Sequence, residues 1–378
     1  MQRPTYLDFA ATTPVDPQVS ATVLRLMAEE FGNSGSRTHE FGAEAAKAVE
    51  EARQRVAQIV DADPSEVIFT SGATEANNLA VLGLAPSAEV LGKRHILSTA
   101  IEHKAVLEPL ERLSSQGFEI ELVEPDVGGA VDAADLLGRV RPDTLLVSVM
   151  QVNNETGVRQ PVGAIAEGLA DNGPFLHVDA AQGFGKEPEP LRCPRIDMIS
   201  LSGHKIFAPK GVGALIARRR GRRRPPLAPL LLGGGQERGL RPGTVPVPLV
   251  AGLGLAAEIA DRHWQNWAIT CTELRGAILE PLLASGAQIN GDPKLSVPHI
   301  ANVSFPGLDS EAVILALREV MAISNGSACT SARYTPSHVL SAMGLDDDRR
   351  RGAIRLSWGP DVVAPSTAAV NQALSVLR

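Results

Sequence analysis

The feature that most constrains the fold is a repeated alternation of short apolar segments with helical patterns. "AEAAKAVEEARQRVAQIV" has helical spacing, "EVIFTSG" is typical of a buried strand ending in a glycine turn, and "ATEANNLAVLGL" is helical again. The alternation continues through "HILSTA", "EHKAVLEPLERL", "EIELVEP", "DTLLVSVM", "VGAIAEGLA", "PFLHVDA", "IDMISLS" and "GALIARR". Short buried strands separated by helices predict an α/β fold with a mainly parallel sheet covered on both faces.

A Gly/Pro-rich segment, "GGGQERGLRPGTVPVP", interrupts this pattern at residues 233–248. A long helical pattern follows it, and a second, shorter α/β pattern comes after that. We therefore predict a large domain over residues 14–255. Residues 1–13 and 256–378 are predicted to form a smaller α/β domain, which carries Cys329.

Composition narrows the class of protein. The chain has 378 residues, 44% hydrophobic content and a net charge of −7, which disfavour a general nucleic-acid binder. The three cysteines lie far apart, so a reducing compartment is expected rather than a disulfide framework. No apolar run is long enough to span a membrane and no signal-peptide pattern is found, which favours a cytoplasmic protein. The eight histidines show no metal-ligand spacing, and we assign no metal.

Polar side chains follow several of the predicted strands. They are Ala73-Thr74-Glu75, Glu102-His103, Asn153-Asn154-Glu155, Asp179 with Gln182, and Ser202 with His204 and Lys205. Ligands of open parallel sheets bind at the carboxyl ends of the strands, so these residues predict one composite site.

Asp179 and Lys205 end two successive predicted strands. A cofactor of the pyridoxal phosphate kind requires a lysine for its Schiff base and a carboxylate against its pyridinium nitrogen. Its phosphate requires backbone N–H groups at a helix start, which the turn at Ala73 and Thr74 supplies. An Asp that ends a strand is often only a helix cap, and a His-Lys pair after a strand is often a solvated turn. The cofactor site is favoured because polar residues follow five predicted strands that end at the same edge of the sheet.

Three other motifs have competing interpretations. "GLGLAA" matches a dinucleotide fingerprint, but it lies inside a helical pattern, which favours packing. "RRRGRRR" (Arg218 to Arg224) favours an exposed hairpin or edge over a docking patch for nucleic acid or an acidic partner. Cys329 lies in the small, polar stretch "AISNGSACTSARY", which favours a reactive thiol over a structural one. After it, Thr335 is predicted to cap a helix that ends at Gly344.

Motifs in order along nearly the whole chain resemble the cysteine desulfurases, pyridoxal-phosphate enzymes of the class V aminotransferase group with the fold type I architecture. The motifs are "YLDFAATTPVDP", "GNSGSRTHEFG", "FTSGATEANNLA", "EHKAV", "VNNETG", "HVDAAQ", "SGHK", "RPGT", "GSACTS" and "IRLSWG". "SRTHEFG" is similar to desulfurases that serve DNA phosphorothioation. Pro242 in "RPGT" and Asn325 before the cysteine motif depart from the serines usual in the family.

The resemblance implies cofactor contacts. Lys205 would form the Schiff base, Asp179 would face the pyridine nitrogen, His103 would stack on the ring, and Gln182 would contact the phenolic oxygen. The phosphate would be bound by Thr74, Ser202 and His204, and by Thr244 from the other subunit of a homodimer.

It also implies the reaction. Asn154 and Arg355 would bind the carboxylate of L-cysteine, with Asn33 nearby, and Cys329 would accept the sulfur as a persulfide. The sulfur would pass to a protein acceptor in iron–sulfur assembly, tRNA thiolation or DNA phosphorothioation. One alternative is a selenocysteine lyase or aminotransferase of the same fold. The other is a non-catalytic scaffold that docks nucleic acid through Arg218–Arg224. For the desulfurase itself, direct nucleic-acid binding is not expected.

Overall fold

The computed structural model of the protein describes residues 3–326 and 337–377. The strands are β1 (Thr5–Tyr6), β2 (Val67–Thr70), β3 (His95–Thr99), β4 (Glu119–Val123), β5 (Thr144–Met150), β6 (Phe175–Asp179), β7 (Met198–Ser202), β8 (Gly213–Ala217), β9 (Gln288–Asn290), β10 (Ile300–Ser304), β11 (Met321–Ala322) and β12 (Ala353–Ser357). The helices are α1 (Pro17–Ala28), α2 (Glu40–Gln58), α3 (Ala73–Leu84), α4 (Ala88–Leu91), α5 (Lys104–Ser114), α6 (Ala133–Gly138), α7 (Val162–Gly168), α8 (Val247–Ala284), α9 (Ser310–Leu317), α10 (His338–Ala342), α11 (Asp347–Arg351) and α12 (Thr367–Leu374).

The central feature is a seven-stranded sheet in the order β2-β8-β7-β6-β5-β3-β4. Strands β3 to β7 pair in parallel, whereas β8 runs antiparallel to both of its neighbours, β2 and β7. The residues of β5, β6 and β7 are almost all buried because helices cover both faces, as their continuous apolar sequences predict. The predicted α/β fold with a mainly parallel sheet is confirmed.

Two apolar clusters cover the two faces of this sheet. One includes residues of α1, α2, α7 and the first half of α8, and the other includes residues of α3 and α5. Gly254 explains the "GLGLAA" motif, since a Cβ at this position would lie 2.4 Å from the Cα of Ala52. The glycine therefore allows α2 and α8 to pack closely, as the packing interpretation of the motif predicts.

A separate cluster is built from the second half of α8 with residues of β10, β12, α9 and α12. Its sheet has the antiparallel order β12-β10-β9, and β1 pairs with β11 in a second small sheet. Helix α8 is continuous through residue 255, and the domain limits at residues 13 and 255 stay a prediction. Across the two described ranges, no helix combines the length and apolar character that a membrane crossing requires.

The start of α10 differs from the sequence prediction. The helix begins at His338, and Ser337 is its N-cap through a hydrogen bond from the Leu340 N–H. Thr335, the predicted cap, lies outside the described residues. Serine and threonine both favour the cap position, so the pattern alone did not distinguish them.

Candidate active site

A cavity of about 890 Å³ lies at the carboxyl ends of the parallel strands. It is lined by most of the predicted site residues: Ala73, Thr74, His103, Asn154, Asp179, Gln182, Ser202, His204, Lys205 and Arg355. These residues come from five strand ends of the large sheet and one strand of the small sheet, which the fold brings to one place. Their convergence is what the strand-end argument predicts.

Asp179, the last residue of β6, is buried at the base of the cavity. Its carboxylate accepts hydrogen bonds from Asn77 Nδ2 at 2.7 Å and from the Ala181 N–H at 2.9 Å. Asn77 is a functional candidate that sequence reasoning missed; the signal was a polar residue on the buried face of α3. Its Oδ1 is buried and has no hydrogen-bond partner among the described residues.

Lys205 follows β7 in a short 3-10 turn and faces the N-terminal segment. Its Nζ donates to the carbonyl oxygens of Ala10 at 2.5 Å and Ala11 at 2.8 Å. Gln182 Nε2 also donates to the Ala10 carbonyl, at 2.9 Å. The Gln182 Oε1 is buried without a partner in the part of the chain that the structure describes, so it can accept from a bound molecule.

Two histidines of the cavity are held neutral. His103 is the N-cap of α5, and its Nδ1 accepts from the Ala105 N–H at 3.1 Å. Burial lowers the pKa of His103; Asp179 opposes this shift and Lys205 reinforces it. Burial and the positive charges of Lys205, Lys210 and Lys186 lower the pKa of His204 to about 4. Both imidazoles can therefore donate or accept hydrogen bonds at neutral pH without adding charge.

The start of α3 forms an open anion site. Its N-cap is Gly72, which has no side chain to occupy the first N–H groups of the helix. The φ of 156° at Gly72 favours a glycine. Gly213 is a glycine for a different reason, because a Cβ on it would lie 2.6 Å from the Gly72 Cα. A Cβ on Gly72 would lie 3.4 Å from the Ser202 Oγ, which places that hydroxyl beside the helix start. This arrangement suits a phosphate group.

Arg355 of β12 forms the wall on the side of the small sheet. Its Nη2 donates to Asp8 Oδ1 at 2.8 Å and to Ser324 Oγ at 3.0 Å, and its Nη1 donates to the Asn154 carbonyl at 3.0 Å. The Nε is buried and has no partner within residues 3–326 and 337–377. The guanidinium is thus fixed beside Asn154 with capacity to bind an anion.

Glu102 and His177 lie near Asp179 without adding charge at neutral pH. Burial raises the pKa of Glu102 to about 8; the hydrogen bonds from Thr99 and the Met150 N–H oppose this shift, and Asp179 adds to it. Burial lowers the pKa of His177 to about 4, and its ring contacts the hydroxyls of Ser148 and Ser200.

Three predicted site residues are not among those that line this cavity. Asn33 and Thr244 lie together on a second cavity of about 450 Å³. The role of Thr244 toward another subunit stays a prediction, and Asn33 does not line the cavity that contains Asn154 and Arg355. Cys329 lies outside the described residues. No cluster of three or more metal-ligating side chains occurs in the described ranges.

The basic run Arg218–Arg224 contains both buried and exposed arginines. Arg220 and Arg223 form a β-bridge, as a hairpin requires, and Arg222 is exposed. Arg218, however, is buried and donates to the carbonyls of Val60, Leu191 and Cys193. Arg220 forms an ion pair with Asp197. The prediction of a wholly exposed run is therefore wrong for Arg218, because buried carbonyl groups surround it.

Comparison with known proteins agrees with this geometry. The class-V aminotransferase family model matches residues 5–363. The human cysteine desulfurase is 44% identical over 359 residues, covering 94% of this chain and 78% of the human protein. The crystal structure of DndA from Streptomyces lividans is 51% identical, with a TM-score of 0.82, 96% of this chain and 100% of that chain covered. SspA in complex with cysteine is 35% identical, with a TM-score of 0.81 and coverage of 95% and 100%.

The fold and the site thus define an enzyme of the class-V aminotransferase type. The chain belongs to the cysteine desulfurases of this family.

Proposed function

We propose that the protein binds pyridoxal 5'-phosphate and uses it to transfer sulfur from L-cysteine to Cys329, leaving L-alanine. The observation that carries the proposal is the placement of Lys205, Asp179 and the open start of α3 around one cavity. A lysine amine, a buried carboxylate and an anion site are the three groups that this cofactor requires. The named relatives support the same activity.

The residues present fit the cofactor. Buried polar atoms of the cavity, Gln182 Oε1 and Asn77 Oδ1, have no partner in the described part of the chain, as expected where a polar ligand binds. Lys205 would hold the cofactor covalently and Asp179 its pyridine nitrogen, with His103 on the ring and Gln182 on the phenolic oxygen. The phosphate would be held by Ala73, Thr74, Ser202 and His204.

The chain's own groups would carry the remaining steps. When bound, pyridoxal phosphate supplies an electron sink for the substrate Cα. Arg355 and Asn154 would hold the substrate carboxylate, and the Lys205 amine would remove the Cα proton and return it later. The Cys329 thiolate would attack the substrate sulfur, so that the sulfur–sulfur bond forms as the substrate carbon–sulfur bond breaks. The products are alanine and a persulfide on Cys329, and all atoms are conserved.

Several finer points belong to the same proposal. L-cysteine as the substrate is supported by the likeness to SspA in complex with cysteine. The persulfide sulfur would pass to a protein acceptor, in iron–sulfur assembly, tRNA thiolation or DNA phosphorothioation. A homodimer in the cytoplasm is proposed, in which Thr244 of each chain completes the phosphate site of the other.

The decisive experiment compares Lys205→Ala and Cys329→Ala with the unmodified enzyme. Lys205→Ala is expected to lose the visible absorbance of the lysine-bound cofactor together with all turnover of L-cysteine. Cys329→Ala is expected to keep that absorbance and to lose alanine formation and persulfide. Transamination that survives in Cys329→Ala would indicate an aminotransferase, and unchanged spectra in Lys205→Ala would contradict the cofactor assignment.

A further inference from the structure

Two described segments border residues 327–336, the part of the chain that contains Cys329. One ends at Gly326, where an added Cβ would lie 3.5 Å from the Glu155 side chain, and the other begins at Ser337, which donates a hydrogen bond to the Glu155 carboxylate. Glu155 directly follows Asn154, the proposed substrate-binding residue. We infer that Glu155 is a positioning residue that holds the start of the second segment to the substrate-binding turn, beside the end of the first segment. The inference rests on the proposed function.

The first segment is joined to the cavity wall by backbone and side chain. The Ser324 N–H donates to the Arg355 carbonyl at 3.3 Å, and the Arg355 N–H donates to the Ser324 carbonyl at 2.6 Å. At Gly326 φ is 79°, and a Cβ there would lie 3.5 Å from Glu155 Cγ and Oε2. The segment therefore passes beside the Glu155 side chain, with room for no more than a Cβ between the two.

The second segment is held by Ser337. Its hydroxyl donates to Glu155 Oε2 at 2.6 Å and accepts from the Leu340 N–H at 3.1 Å. One serine thus fixes the start of α10 and attaches that helix to Glu155. His338 adds a contact of 2.9 Å between its Nε2 and the Glu102 carbonyl oxygen. The beginning of α10 is consequently fixed to the turns that follow β3 and β5.

Glu155 is itself rigidly held. Its N–H and that of Thr156 each donate to Asn153 Oδ1 at 2.9 Å, and the residue is only 2% exposed. In such a buried position water does not compete for the hydrogen bond from Ser337, so the bond is stronger than on the surface. None of the roles proposed for the cavity residues uses this buried carboxylate. Its geometry suits the fixing of the distance between the start of α10 and the turn that follows β5.

Loss of the hydrogen bond between Ser337 and Glu155 is expected to affect one step of the reaction, the formation of the persulfide. Binding of the cofactor and removal of the Cα proton are assigned to Lys205, Asp179 and their neighbours. The turn that carries Asn154 is held by the backbone N–H groups of Glu155 and Thr156, so it does not require the Glu155 side chain. Attack by Cys329 on the substrate sulfur depends on how closely the two sulfur atoms are brought together, and a small misplacement costs much of the rate. Loss of the Glu155–Ser337 bond should therefore slow persulfide formation selectively.

The test uses Ser337→Ala with Ser366→Ala as a matched control. Ser366 caps α12 through the Ala369 N–H at 3.2 Å, so both substitutions remove a serine cap, but only Ser337 also bonds Glu155. Single-turnover labelling measures the Cys329 persulfide, and the absorbance of the full-length holoenzyme follows cysteine binding. Ser337→Ala is expected to slow persulfide formation by about 10- to 100-fold while the absorbance change keeps its rate.

Rescue and hydrogen exchange separate positioning from general damage. Glu155→Ala should slow persulfide formation as Ser337→Ala does. Glu155→Gln should form the persulfide at the normal rate, because its amide oxygen still accepts from Ser337. The double alanine variant should be no slower than either single variant. Amide exchange at residues 338–343 should accelerate in Ser337→Ala and Glu155→Ala only.

Two outcomes would overturn the inference: equal persulfide rates in Ser337→Ala and Ser366→Ala, or equal slowing of the absorbance change and of persulfide formation. If the unmodified enzyme forms no alanine and no persulfide, the proposed function is wrong. In that case amide exchange still tests the inference, because unchanged exchange in Glu155→Ala would show that Glu155 does not hold the start of α10.

Discussion

The cavity and the Arg218–Arg224 hairpin are both rich in polar side chains, yet their buried groups are satisfied in different ways. In the hairpin, the buried guanidinium of Arg218 donates to four backbone carbonyls. In the cavity, buried atoms of Asn77, Gln182 and Arg355 have no partner in the residues that the structure describes.

This difference in hydrogen bonding distinguishes residues that stabilise the fold from residues that bind a ligand. A buried polar atom without a partner costs about 1–3 kcal/mol, so a fold keeps several together only where something else binds them. Arg218 of the hairpin stabilises the fold from a buried position, and the cavity residues are arranged for a ligand. Substitutions in the two regions should accordingly affect different properties.

The largest expected effect is on catalysis in the cavity. Asp179→Asn keeps the size of the side chain and an acceptor for the Ala181 N–H, but removes the negative charge. We expect the rate of alanine formation to fall by about 10²–10³-fold, because a preorganised charge is lost where charge develops. The free energy of unfolding should change by only about 1 kcal/mol. Steady-state kinetics measure the rate of alanine formation, and denaturant unfolding measures the free energy of unfolding. An Asp179→Asn enzyme that stays active but loses stability would contradict the assignment of the cavity to function.

The next effect is on stability in the hairpin. Arg218→Met removes the donors to the carbonyls of Val60, Leu191 and Cys193 and should lower the free energy of unfolding by about 3 kcal/mol. Turnover per folded molecule should stay unchanged. Arg222→Met, an exposed position of the same hairpin, is the control and should stay within about 0.5 kcal/mol. Equal stability of the two variants would show that Arg218 is not the anchor.

The sequence was sufficient for the parts of the molecule that depend on local pattern. The alternation of apolar segments predicts the sheet, and the polar residues after "HVD" and "SGHK" predict the floor of the cavity, since parallel strands end at one edge. Asp179 and Lys205 were therefore accessible without a structure. Their roles in binding the cofactor stay a prediction.

Contacts between distant residues were not accessible in this way. Arg355 bonds Asp8 across 347 residues, and Asn77 reaches Asp179 from a helix that only the sheet order brings close. The burial of Arg218 depends on carbonyls of two other segments, at Val60 and at residues 191–196. The direction of β8 also follows from pairing with β7 and β2, which its own apolar sequence does not encode.

The last prediction concerns Glu102, where a buried group of the cavity affects stability, as Arg218 does in the hairpin, but only through the pH dependence of unfolding. Its Oε1 is bonded to Thr99 and the Met150 N–H, but its Oε2 is buried without a partner across residues 3–326 and 337–377. Burial raises the pKa of Glu102 from 4.5 to about 8, so the folded state binds a proton that the unfolded state releases. This contribution to stability is complete below about pH 4.5 and is lost as the pH rises to about 8.

Glu102→Gln should remove that dependence, because the amide is neutral at every pH and keeps an acceptor for Thr99 and Met150. The unfolding free energy of the variant minus that of the unmodified protein should rise between pH 5 and 8, with a slope of up to roughly 1.4 kcal/mol per pH unit. Denaturant unfolding at several pH values measures the difference and cancels the titration of all other groups. A flat difference would mean that Glu102 is ionised in the folded protein. Glu102 would then need a cationic partner, and the neutral surroundings assigned to Asp179 would be wrong.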